Sequence, residues 1–319
     1  MNQPQALTAL VTGGSGFIGT WVLRELLARG VRPVVFDVQA NPQRWSQILG
    51  ADAAASIAFV QGNLLDRELL QKTCDEYHVT HLIHLAALLT PACQQDPWAG
   101  FQVNVVGSTA LFELARANSA QIQGFSYASS YAVYGPEADD APVAVAPVEN
   151  RPPTFYGAFK LAADLIAEQY WRHFGIASMG IRPHVVYGPE RELGLTAGPS
   201  LAARAAVRGE PFNIAYTGSA GYDYVEDVAR GFVRAALDTP RGSNVVDLPS
   251  QPATPAEFVA AITAIIPEAA GRLTVEGPPI PSNCAPHPKF IRTLFPDWKP
   301  TSLEAGVRQT IDFYRTRKS

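Results

Sequence analysis

The sequence predicts an α/β protein: a doubly wound parallel sheet with helices on both faces, followed by a smaller C-terminal lobe. Three observations support this fold class. Short apolar runs alternate with longer amphipathic stretches over the first two-thirds of the chain. Most of these runs are continuously apolar, as strands buried on both faces are. A glycine-rich segment separates the first run from the first amphipathic stretch, and such alternation implies right-handed crossovers between parallel strands.

The predicted elements of the sheet follow one another without long gaps. The strands are predicted at Leu7–Thr12, Pro33–Asp37, Ile57–Gln61, His81–Ala86, Gly124–Ser129 and Ala177–Arg182. The helices between them are predicted at Ile18–Arg29, Arg67–Tyr77, Trp98–Asn118 and Tyr156–His173. Each helical stretch has the apolar periodicity of a helix that packs one face against a sheet.

The alternation ends near Pro183, beyond which proline and glycine become frequent. We therefore expect one domain at 1–182 and a smaller substrate-binding lobe at 183–319, with room for some of its strands or helices to return to the main sheet. Helices in the lobe are predicted at Ala202–Arg208, Glu226–Leu237 and Pro255–Ile265. Ligands of open α/β sheets bind in the crevice outside the carboxyl ends of the strands, so we expect the site there.

Composition limits the class of protein and of partner. The 319 residues are 47% hydrophobic and 17% charged, which excludes disorder and leaves ample material for a core. The net charge of −4 favours neither nucleic acid nor an anionic membrane as partner. Three widely spaced cysteines, Cys74, Cys93 and Cys284, fit a reducing compartment. The first residues show no signal-peptide pattern and no stretch has the apolar length of a membrane span, so a soluble cytoplasmic protein is expected.

The glycine-rich turn Gly13-Gly14-Ser15-Gly16-Phe17-Ile18-Gly19 connects the first predicted strand to the first helix. Gly13 allows the tight turn, Gly16 lets the backbone approach a pyrophosphate, and Gly19 lets the helix pack on the strand. The helix N-terminus then attracts the phosphates. Asp37 ends the second strand at the offset of a carboxylate that binds the adenosine ribose and disfavours a 2′-phosphate. The turn therefore predicts a Rossmann-type site for NAD, with NADP less favoured.

The Gly-x-x-Gly-x-x-Gly spacing and six later motifs resemble the extended short-chain dehydrogenase/reductase family, which includes NAD-dependent sugar epimerases and dehydratases. The later motifs are Gly62-Asn63-Leu64, His84-Leu85-Ala86-Ala87, Asn104-Val105-Val106-Gly107-Ser108, Ser129-Ser130-Tyr131-Ala132-Val133-Tyr134-Gly135, Tyr156-x-x-x-Lys160 and Trp298-Lys299-Pro300. The resemblance covers nearly the whole chain. It places the chain closer to the family's small-substrate dehydrogenases than to its nucleotide-sugar epimerases.

The resemblance implies further contacts with the cofactor. Asn63 stands where the family usually has an aspartate that touches the adenine, and its amide can serve similarly. For Asn104, a structural or positioning role is favoured over a catalytic one. The implied cofactor contacts beyond the turn and Asp37 are Asn63, Leu64, Leu85, Ala86, Ala87, Asn104, Ser129, Tyr156, Lys160, Pro183 and Val185.

A serine, a tyrosine and a lysine are predicted to carry the chemistry. Tyr156 and Lys160 are four residues apart in a predicted helix and project from one face, while Ser130 follows an apolar strand. A neighbouring ammonium and a positively charged nicotinamide would lower the tyrosine pKa from its usual value of about 10. Tyr156 would exchange a proton with a substrate hydroxyl, Ser130 would hold the same oxygen, and Lys160 would also bind ribose hydroxyls. Ser130 is preferred to Ser129 because it lies three residues before Val-Tyr-Gly, as the catalytic hydroxyl does in the resembled family.

Four further residues are expected near the substrate: Thr90, Tyr131, His184 and Arg191. A packed, hydrogen-bonded histidine is an equally good interpretation of His184, and a surface role is the alternative for Arg191. No metal site is predicted, because the strand histidines have an odd spacing and face opposite sides.

The reaction type depends on residues beside the predicted site. Family dehydratases usually carry Asp-Glu where this chain has Tyr131-Ala132, which disfavours dehydration. Nucleotide-sugar epimerases usually have an asparagine and an arginine where this chain has Val185 and Ala220, and neither side chain can bind a diphosphate. The leading hypothesis is therefore an NAD-dependent dehydrogenase of a sugar, sugar acid or hydroxy acid.

Two alternatives remain open. One is a nucleotide-sugar 4-epimerase of the UDP-glucose/galactose type with a recycled NAD, in which Arg191, Arg204 and Arg208 would replace the missing groups. The other is a non-enzymatic dinucleotide sensor, which the retained Tyr156 and Lys160 disfavour. The resemblance also implies a homodimer, formed by the helices predicted at Trp98–Asn118 and Tyr156–His173.

Overall fold

The computed structural model describes residues 7–135, 151–280 and 291–317, so that Cys284 lies outside the described residues. The chain divides into two compact units. The first contains the described residues up to Gly135, those from 151 to Arg182, and Ala229–Val246. The second contains Pro183–Val228 and the described residues from Asp247 onward.

The strands of the described residues form three sheets. In chain order they are β1 (Thr8–Thr12), β2 (Arg32–Asp37), β3 (Ala58–Gln61), β4 (His81–His84), β5 (Gly124–Ala128), β6 (Ser178–Arg182), β7 (Val185–Tyr187), β8 (Phe212–Ile214), β9 (Ala220–Tyr224), β10 (Ser243–Asp247), β11 (Gln251–Ala253) and β12 (Leu273–Val275). The largest sheet has the order β10-β6-β5-β4-β1-β2-β3, and its pairings from β6 to β3 are parallel. This doubly wound parallel sheet confirms the predicted fold class.

Helices connect these strands. In chain order they are α1 (Phe17–Ala28), α2 (Pro42–Leu49), α3 (Ala51–Ala55), α4 (Arg67–Glu76), α5 (Thr90–Gln95), α6 (Pro97–Phe101), α7 (Gly107–Ala117), α8 (Phe155–Phe174), α9 (Gly198–Arg208), α10 (Val225–Leu237), α11 (Pro255–Ile265), α12 (Ile291–Leu294) and α13 (Leu303–Arg315). Polar side chains that accept from backbone N–H groups cap several of them, Asp66 at α4 and Thr154 at α8 among them.

The six strands predicted for the sheet lie within two residues of their observed bounds. Their apolar runs are buried, as β1 and β4 are along their whole lengths. Phe112 of α7 packs on this sheet, with its ring centre 4.6 Å from that of Phe125 in β5. The edge strand β10 was not predicted: its residues come after the proline-rich segments, and its pairing with the sheet is long-range.

The prediction of a single regular helix over Trp98–Asn118 is wrong, because the helix is interrupted. The structure has α6, then a π-helical turn at Gln102–Val106, then α7. A π-turn adds a residue to one helical turn and rotates the side chains that follow, and such turns are frequent at functional sites. Amphipathic periodicity alone does not distinguish this interruption from a regular helix.

The second unit has its own small sheets. β7, β9 and β11 form a three-stranded sheet in which β9 pairs parallel to β7 and antiparallel to β11. β8 and β12 form a parallel pair. The rings of Tyr187, Tyr222 and Phe258 pack edge-on against one another and form part of this unit's core.

Candidate active site

The glycine turn between β1 and α1 depends on close backbone approaches. Gly13 has a φ of +75°, and a Cβ there would lie 2.6 Å from the backbone nitrogen of Ala86. A Cβ on Gly19 would lie 2.1 Å from the carbonyl oxygen of Gly13. No described side chain caps α1, and its first turn, which contains Phe17 and Ile18, has no acidic residue. The positive end of the helix dipole is therefore directed at the turn, as an anion site requires.

A cavity of about 710 Å³ opens beside this turn, a volume typical of small-molecule sites. Ser15 lines it, and the Ser15 hydroxyl is buried with no hydrogen-bond partner among the described residues. The predicted cofactor residues that line the cavity are Gly13, Ser15, Gly16, Asp37, Asn63, Leu64, Leu85, Ala86 and Ala87. A helix N-terminus, an orphaned hydroxyl and a carboxylate along one cavity fit an adenine dinucleotide.

Asp37 lies on the wall of the cavity and holds the turn. One carboxylate oxygen accepts from the backbone N–H of Ser15 at 3.1 Å and the other from that of Val38 at 2.8 Å. Arg44 of α2 donates to the carbonyl of Ser15 at 3.1 Å, and Trp45 donates to that of Gly14 at 3.2 Å. The prediction missed α2 and residues 38–43, which also line the cavity. Residues 38–43 follow the carboxyl end of β2, where ligands of such sheets bind, so their place in the sequence could have indicated that they line the cavity.

The middle of the cavity is lined by small and amide side chains. The side-chain carbonyl of Asn63 accepts from the backbone N–H of Leu65 at 3.0 Å, so its NH₂ group is the part that can bind an adenine. The 85–87 segment follows β4 in an irregular conformation, where the prediction had extended the strand to Ala86. The backbone of this segment lies close to the glycine turn, because a Cβ on Gly13 would be 2.6 Å from the backbone nitrogen of Ala86.

Asn104 lies in the π-helical turn and binds the loop after β4. Its carbonyl accepts from the N–H of Leu88 at 2.8 Å, and its amide donates to the carbonyl of Leu88 at 2.9 Å and to Cys93 Sγ at 3.4 Å. Leu88 lines the cavity, whereas Asn104 is buried behind it. Its geometry therefore supports a positioning role.

His84 joins this region to the sheet. Its Nδ1 lies 2.7 Å from Thr12 Oγ1 and its Nε2 lies 3.0 Å from Ser108 Oγ, while Ser108 donates to the carbonyl of Asn104 at 2.6 Å. Burial lowers the pKa of His84 to about 3, with the charge of Lys160 adding to the effect. His84 is therefore neutral at physiological pH. Among the described residues no group of three or more His, Cys, Asp and Glu is arranged to hold a metal ion.

Lys160 and Tyr156 lie one turn apart near the start of α8. The ammonium of Lys160 is buried, donates to the carbonyl of Ala128 at 2.6 Å, and lies 5.7 Å from the centre of the Tyr156 ring. Burial lowers the pKa of Lys160 to about 8, although the neighbouring Asp164 opposes the shift. Tyr156 is the second residue of α8 and therefore lies at the positive end of the helix dipole.

The first turn of α8 is fixed by two caps. Thr154 Oγ1 accepts from the N–H of Gly157 at 3.1 Å, and Gln94 of α5 accepts from the N–H of Phe155 at 2.8 Å. Thr90, predicted near the substrate, is the first residue of that same α5 and is half-buried. The residues around Tyr156 are thus held by groups outside its own helix.

Ser130 follows β5 in extended conformation and begins a short 3₁₀ turn. Its Oγ accepts from the N–H of Ala132 at 3.1 Å, which leaves its own hydrogen for another acceptor. Tyr131 is half-buried, with its ring edge-on to Tyr134 at 4.8 Å between centres. Ser129 is buried and donates to Asp164 at 2.8 Å. Ser130, Tyr156 and Lys160 all belong to the first unit, which also contains the cavity.

Two charged residues beside this site were not predicted. Arg182, the last residue of β6, donates to Asp164 of α8 at 2.6 Å and to the hydroxyl of Tyr134 at 2.6 Å. Asp164 lies four residues after Lys160, so the periodicity of the helix was a signal that could have found it.

Four predicted site residues belong to the second unit and are described within it. Pro183 and Val185 are buried, and the backbone N–H of His184 donates to Asp223 at 2.7 Å. The ring of His184 lies against Gly221, where a Cβ would be 3.1 Å from it. Arg191 donates to the carbonyl of Val186 at 2.5 Å and to Thr196 at 2.9 Å.

No helix of the described residues is long and apolar enough to cross a membrane.

A model of the NAD dependent epimerase/dehydratase family matches residues 9–246. UDP-glucuronate 4-epimerase 6 of Arabidopsis thaliana is 30% identical over 252 residues, which are 74% of this chain and 52% of that protein. The chain spans about half the length of the first plant relatives it matches.

Two other similar proteins are bacterial. A UDP-glucose 4-epimerase of Mycolicibacterium smegmatis is 31% identical over 239 residues, which are 72% of this chain and 73% of that protein. The crystal structure of Thermus thermophilus UDP-glucose 4-epimerase in complex with NAD is 26% identical with a TM-score of 0.77, covering 97% of this chain and 99% of the other. These names do not confirm the expected closeness to small-substrate dehydrogenases. The matches do confirm the resemblance and, at the level of the family, NAD as its cofactor: the chain belongs to the NAD-dependent epimerase/dehydratase family of extended short-chain dehydrogenases/reductases.

Proposed function

We propose that this chain is an NAD-dependent oxidoreductase that moves hydride between NAD and a hydroxyl-bearing carbon of a small sugar, sugar acid or hydroxy acid. One observation carries the proposal. The buried Lys160 ammonium donates to the Ala128 carbonyl and lies 5.7 Å from the centre of the Tyr156 ring, in the same unit as the dinucleotide-type cavity. Such a charge supports proton transfer by a phenol at neutral pH.

In the oxidative direction, the Tyr156 phenolate accepts the proton of the substrate hydroxyl. Ser130 donates its remaining hydrogen to the same oxygen and holds it in line with the phenolate. The ammonium of Lys160 stabilises the phenolate before the transfer and binds ribose hydroxyls with its other N–H groups. The nicotinamide of bound NAD supplies the hydride acceptor. In the reductive direction the same phenol returns its proton to the carbonyl oxygen.

The proposal of a small substrate is supported by two buried apolar positions. Val185 lies in β7 and Ala220 in β9, and both are buried where family epimerases of nucleotide sugars usually have polar side chains. Neither can hydrogen-bond a diphosphate, and loss of a bidentate arginine removes a strong anion contact.

The nearby arginines give little support to a replacement diphosphate site. The guanidinium of Arg191 binds Val186 and Thr196, and that of Arg204 pairs with Glu192 at 3.1 Å. Arg208 is exposed in the last turn of α9. A dianionic ligand would have to compete with the existing partners of Arg191 and of Arg204.

A nucleotide-sugar 4-epimerase is the second candidate, because the similar proteins named above are UDP-sugar 4-epimerases. In that case NAD would be recycled within each turnover. A non-enzymatic dinucleotide sensor is the least favoured function, since Tyr156 and Lys160 are retained.

A substrate screen separates these functions. Purified protein is tested for bound NAD and then for NADH formation with sugars, sugar acids, hydroxy acids and nucleotide sugars. A dehydrogenase binds NAD reversibly and yields NADH with a small hydroxylated compound. Turnover of a nucleotide sugar without net NADH, by protein that purifies with NAD, would favour the epimerase instead.

We also propose a homodimer in the cytoplasm. Aromatic side chains on α6 and α8 are exposed in the single chain: Trp98 is 67% exposed and stacks on Phe101, and Phe155 stacks on Phe159. A second copy of the chain that covers this patch, Trp98, Phe101, Phe155 and Phe159, would bury its apolar area. Cys74 and Cys93 are free thiols, which agrees with a reducing compartment.

A further inference from the structure

An ion pair between α8 and β6 lies directly behind the proposed catalytic residues. The Arg182 guanidinium donates to Asp164 Oδ2 through both Nε, at 3.2 Å, and Nη2, at 2.6 Å. Both side chains are largely buried: 14% of the Arg182 side chain and 5% of the Asp164 side chain remain exposed. Asp164 is one turn after Lys160 on the same helix.

The pair holds the segment that carries Ser130 on both of its sides. Ser129 donates to Asp164 at 2.8 Å, and the hydroxyl of Tyr134 accepts from Arg182 at 2.6 Å. These two residues flank Ser130 and its 3₁₀ turn. Because Asp164 belongs to the helix of Tyr156, the contacts connect the proposed proton-transfer residue to the segment that holds the substrate oxygen.

A contribution to stability does not by itself explain why the Asp164–Arg182 ion pair is buried. Removing two charges from water carries a large desolvation cost, and well-packed apolar residues of similar volume are often as stable or more so. The fixed fork geometry of a guanidinium, by contrast, orients two partners at once. In this chain Arg182 binds Asp164 on α8, and Tyr134 and Ser129 on either side of Ser130, so the guanidinium joins the two segments that bear the proposed reacting groups.

We propose that Asp164 and Arg182 are positioning residues that fix the Ser130 hydroxyl relative to the Tyr156 phenol. The proposal rests on the proposed function, in which those two groups contact the same substrate oxygen. The pair itself contacts neither substrate nor cofactor and acts through Ser129, Tyr134 and the α8 backbone. A small displacement of Ser130 is expected to reduce turnover strongly, since displacements of about 1 Å can cost about 100-fold.

The first test is kinetic. Asp164→Asn is expected to lower kcat by about 10- to 100-fold, while the Kd for NAD stays within about two-fold. The variant Ser130→Ala alone is expected to lose at least as much turnover. The double variant should be no slower than Ser130→Ala when both are measured near pH 6, below the Lys160 pKa of about 8, so that the loss of the Asp164 charge beside the lysine contributes little and the effect of position is isolated. Losses that simply multiply would overturn the proposal.

The second test needs no substrate. Amide hydrogen exchange is measured at Ala132, Val133 and Tyr134, whose N–H groups are bonded within the 3₁₀ segment. Asp164→Asn is expected to speed their exchange by about 10-fold or more, because the segment loses its anchor. Exchange at the wild-type rate would overturn the proposal. If the wild type turns over no hydroxylated compound, the proposed function fails and this exchange measurement alone decides on the positioning role.

Two further variants separate positioning from general destabilisation. Thr80→Val removes buried hydrogen bonds to Thr8 at the amino ends of β1 and β4, and is expected to lower the melting temperature without changing kcat or the exchange of the 3₁₀ segment. Ser129→Ala removes the bond from Ser129 to Asp164 and the longer bond that Ser129 accepts from Arg182 at 3.4 Å, and serves if Asp164→Asn does not fold. Its kcat should fall about three- to ten-fold, again without further loss in the Ser130→Ala background; a kcat equal to the wild type would contradict the proposal.

Discussion

Lys160 keeps a charge in the protein interior next to a tyrosine that is proposed to lose its proton. Burial lowers the pKa of Lys160 to about 8, and Asp164 and Cys93 act in the opposite direction. The side chain is therefore an ammonium below about pH 8 and a neutral amine above it. Of the two forms of the lysine, only the ammonium stabilises a phenolate at Tyr156, so the charge state of Lys160 is expected to affect the proposed base.

This pKa predicts a descending limb in the pH profile of oxidation. The kcat of the wild type is expected to fall as the pH rises above about 8, because the deprotonated lysine no longer stabilises the phenolate. Lys160→Arg keeps its charge at all accessible pH values, and its residual kcat should not show that limb. A descending limb at the same pH in both proteins, measured by NADH formation over a pH series, would contradict the role given to Lys160.

The sequence was informative about single residues wherever spacing places them together. Tyr156 and Lys160 share a helix face by their four-residue interval, and Ser130 follows a strand that ends at the ligand edge. Asp164 lies on that same face and could have been found in the same way. Its partner Arg182 could not, because the pairing joins α8 to β6 and depends on tertiary packing.

At the scale of elements, the turn between β1 and α1 sets the geometry of the cavity. Gly13 has both a left-handed backbone and a close neighbour, the nitrogen of Ala86, within 2.6 Å of its missing Cβ. Gly30 offers a matched comparison, since its φ of +69° is similar and nothing lies within 4 Å of its missing Cβ.

The different surroundings of Gly13 and Gly30 predict different losses of stability and of NAD binding when each is replaced by alanine. Gly30→Ala is expected to lower the free energy of unfolding by about 1 kcal/mol through backbone strain, with unchanged NAD affinity. Gly13→Ala adds a clash with the 85–87 segment and is expected to lower it by about 3 kcal/mol or more, with loss of NAD binding. Denaturant titration and calorimetry measure both quantities. Equal losses in the two variants would mean that close packing of the turn does not matter.

Element boundaries were predicted well where burial imposes a simple pattern. Continuous apolar runs identified the six strands to within two residues. The π-helical turn at Gln102–Val106 was not predictable from periodicity, and its Asn104 binds Leu88, a residue that lies before the preceding helices. The helix α2 was not predicted, although it begins at Pro42 after an Asn41 cap, and both residues are typical of a helix start.

At the scale of the whole molecule, the buried carboxyl of Asp223 in the second unit links stability to pH. Burial raises its pKa to about 7, and the charges of Asp227 and Asp247 add to the effect. Since the folded pKa lies above the unfolded value, the group's stabilising contribution is complete at low pH and is lost as the pH rises through 7.

The variant Asp223→Asn isolates this contribution, because an amide keeps the same size and does not titrate. The free energy of unfolding of the wild type, relative to the variant, is expected to fall by at most about 4 kcal/mol between about pH 4 and pH 8. Denaturant titrations at a series of pH values measure the difference. A difference that is independent of pH would exclude a raised pKa for Asp223.

The proposed dimer gives a second prediction at this scale. Trp98→Glu places a charge in the aromatic patch of α6 and α8, and is expected to convert the dimer into a monomer, as light scattering after size-exclusion chromatography would measure. Leu193→Glu is the control, because Leu193 is 79% exposed in the second unit and outside that patch. A wild type that is already monomeric, or a Trp98→Glu dimer, would contradict the proposed interface.

The division of the chain into two units could be predicted only in part from the sequence. The change in composition near Pro183 coincides with the start of the second unit, whereas Ala229–Val246 belongs to the first. That segment contains most of α10 and of β10, whose place beside β6 is set by a pairing between distant parts of the chain. Local patterns carry no information about such a return.

The reaction proposed for the molecule depends most directly on Tyr156. Tyr156→Phe removes only the phenol oxygen, so the Kd for NAD should stay within a few-fold, since the proposed dinucleotide site is formed at the glycine turn and Asp37. NADH formation from the small hydroxylated substrate identified in the screen is expected to fall by about 100- to 10,000-fold, the range for loss of a general base. NADH formation by the variant at the wild-type rate, with unchanged NAD affinity, would contradict the assignment of Tyr156 as the base.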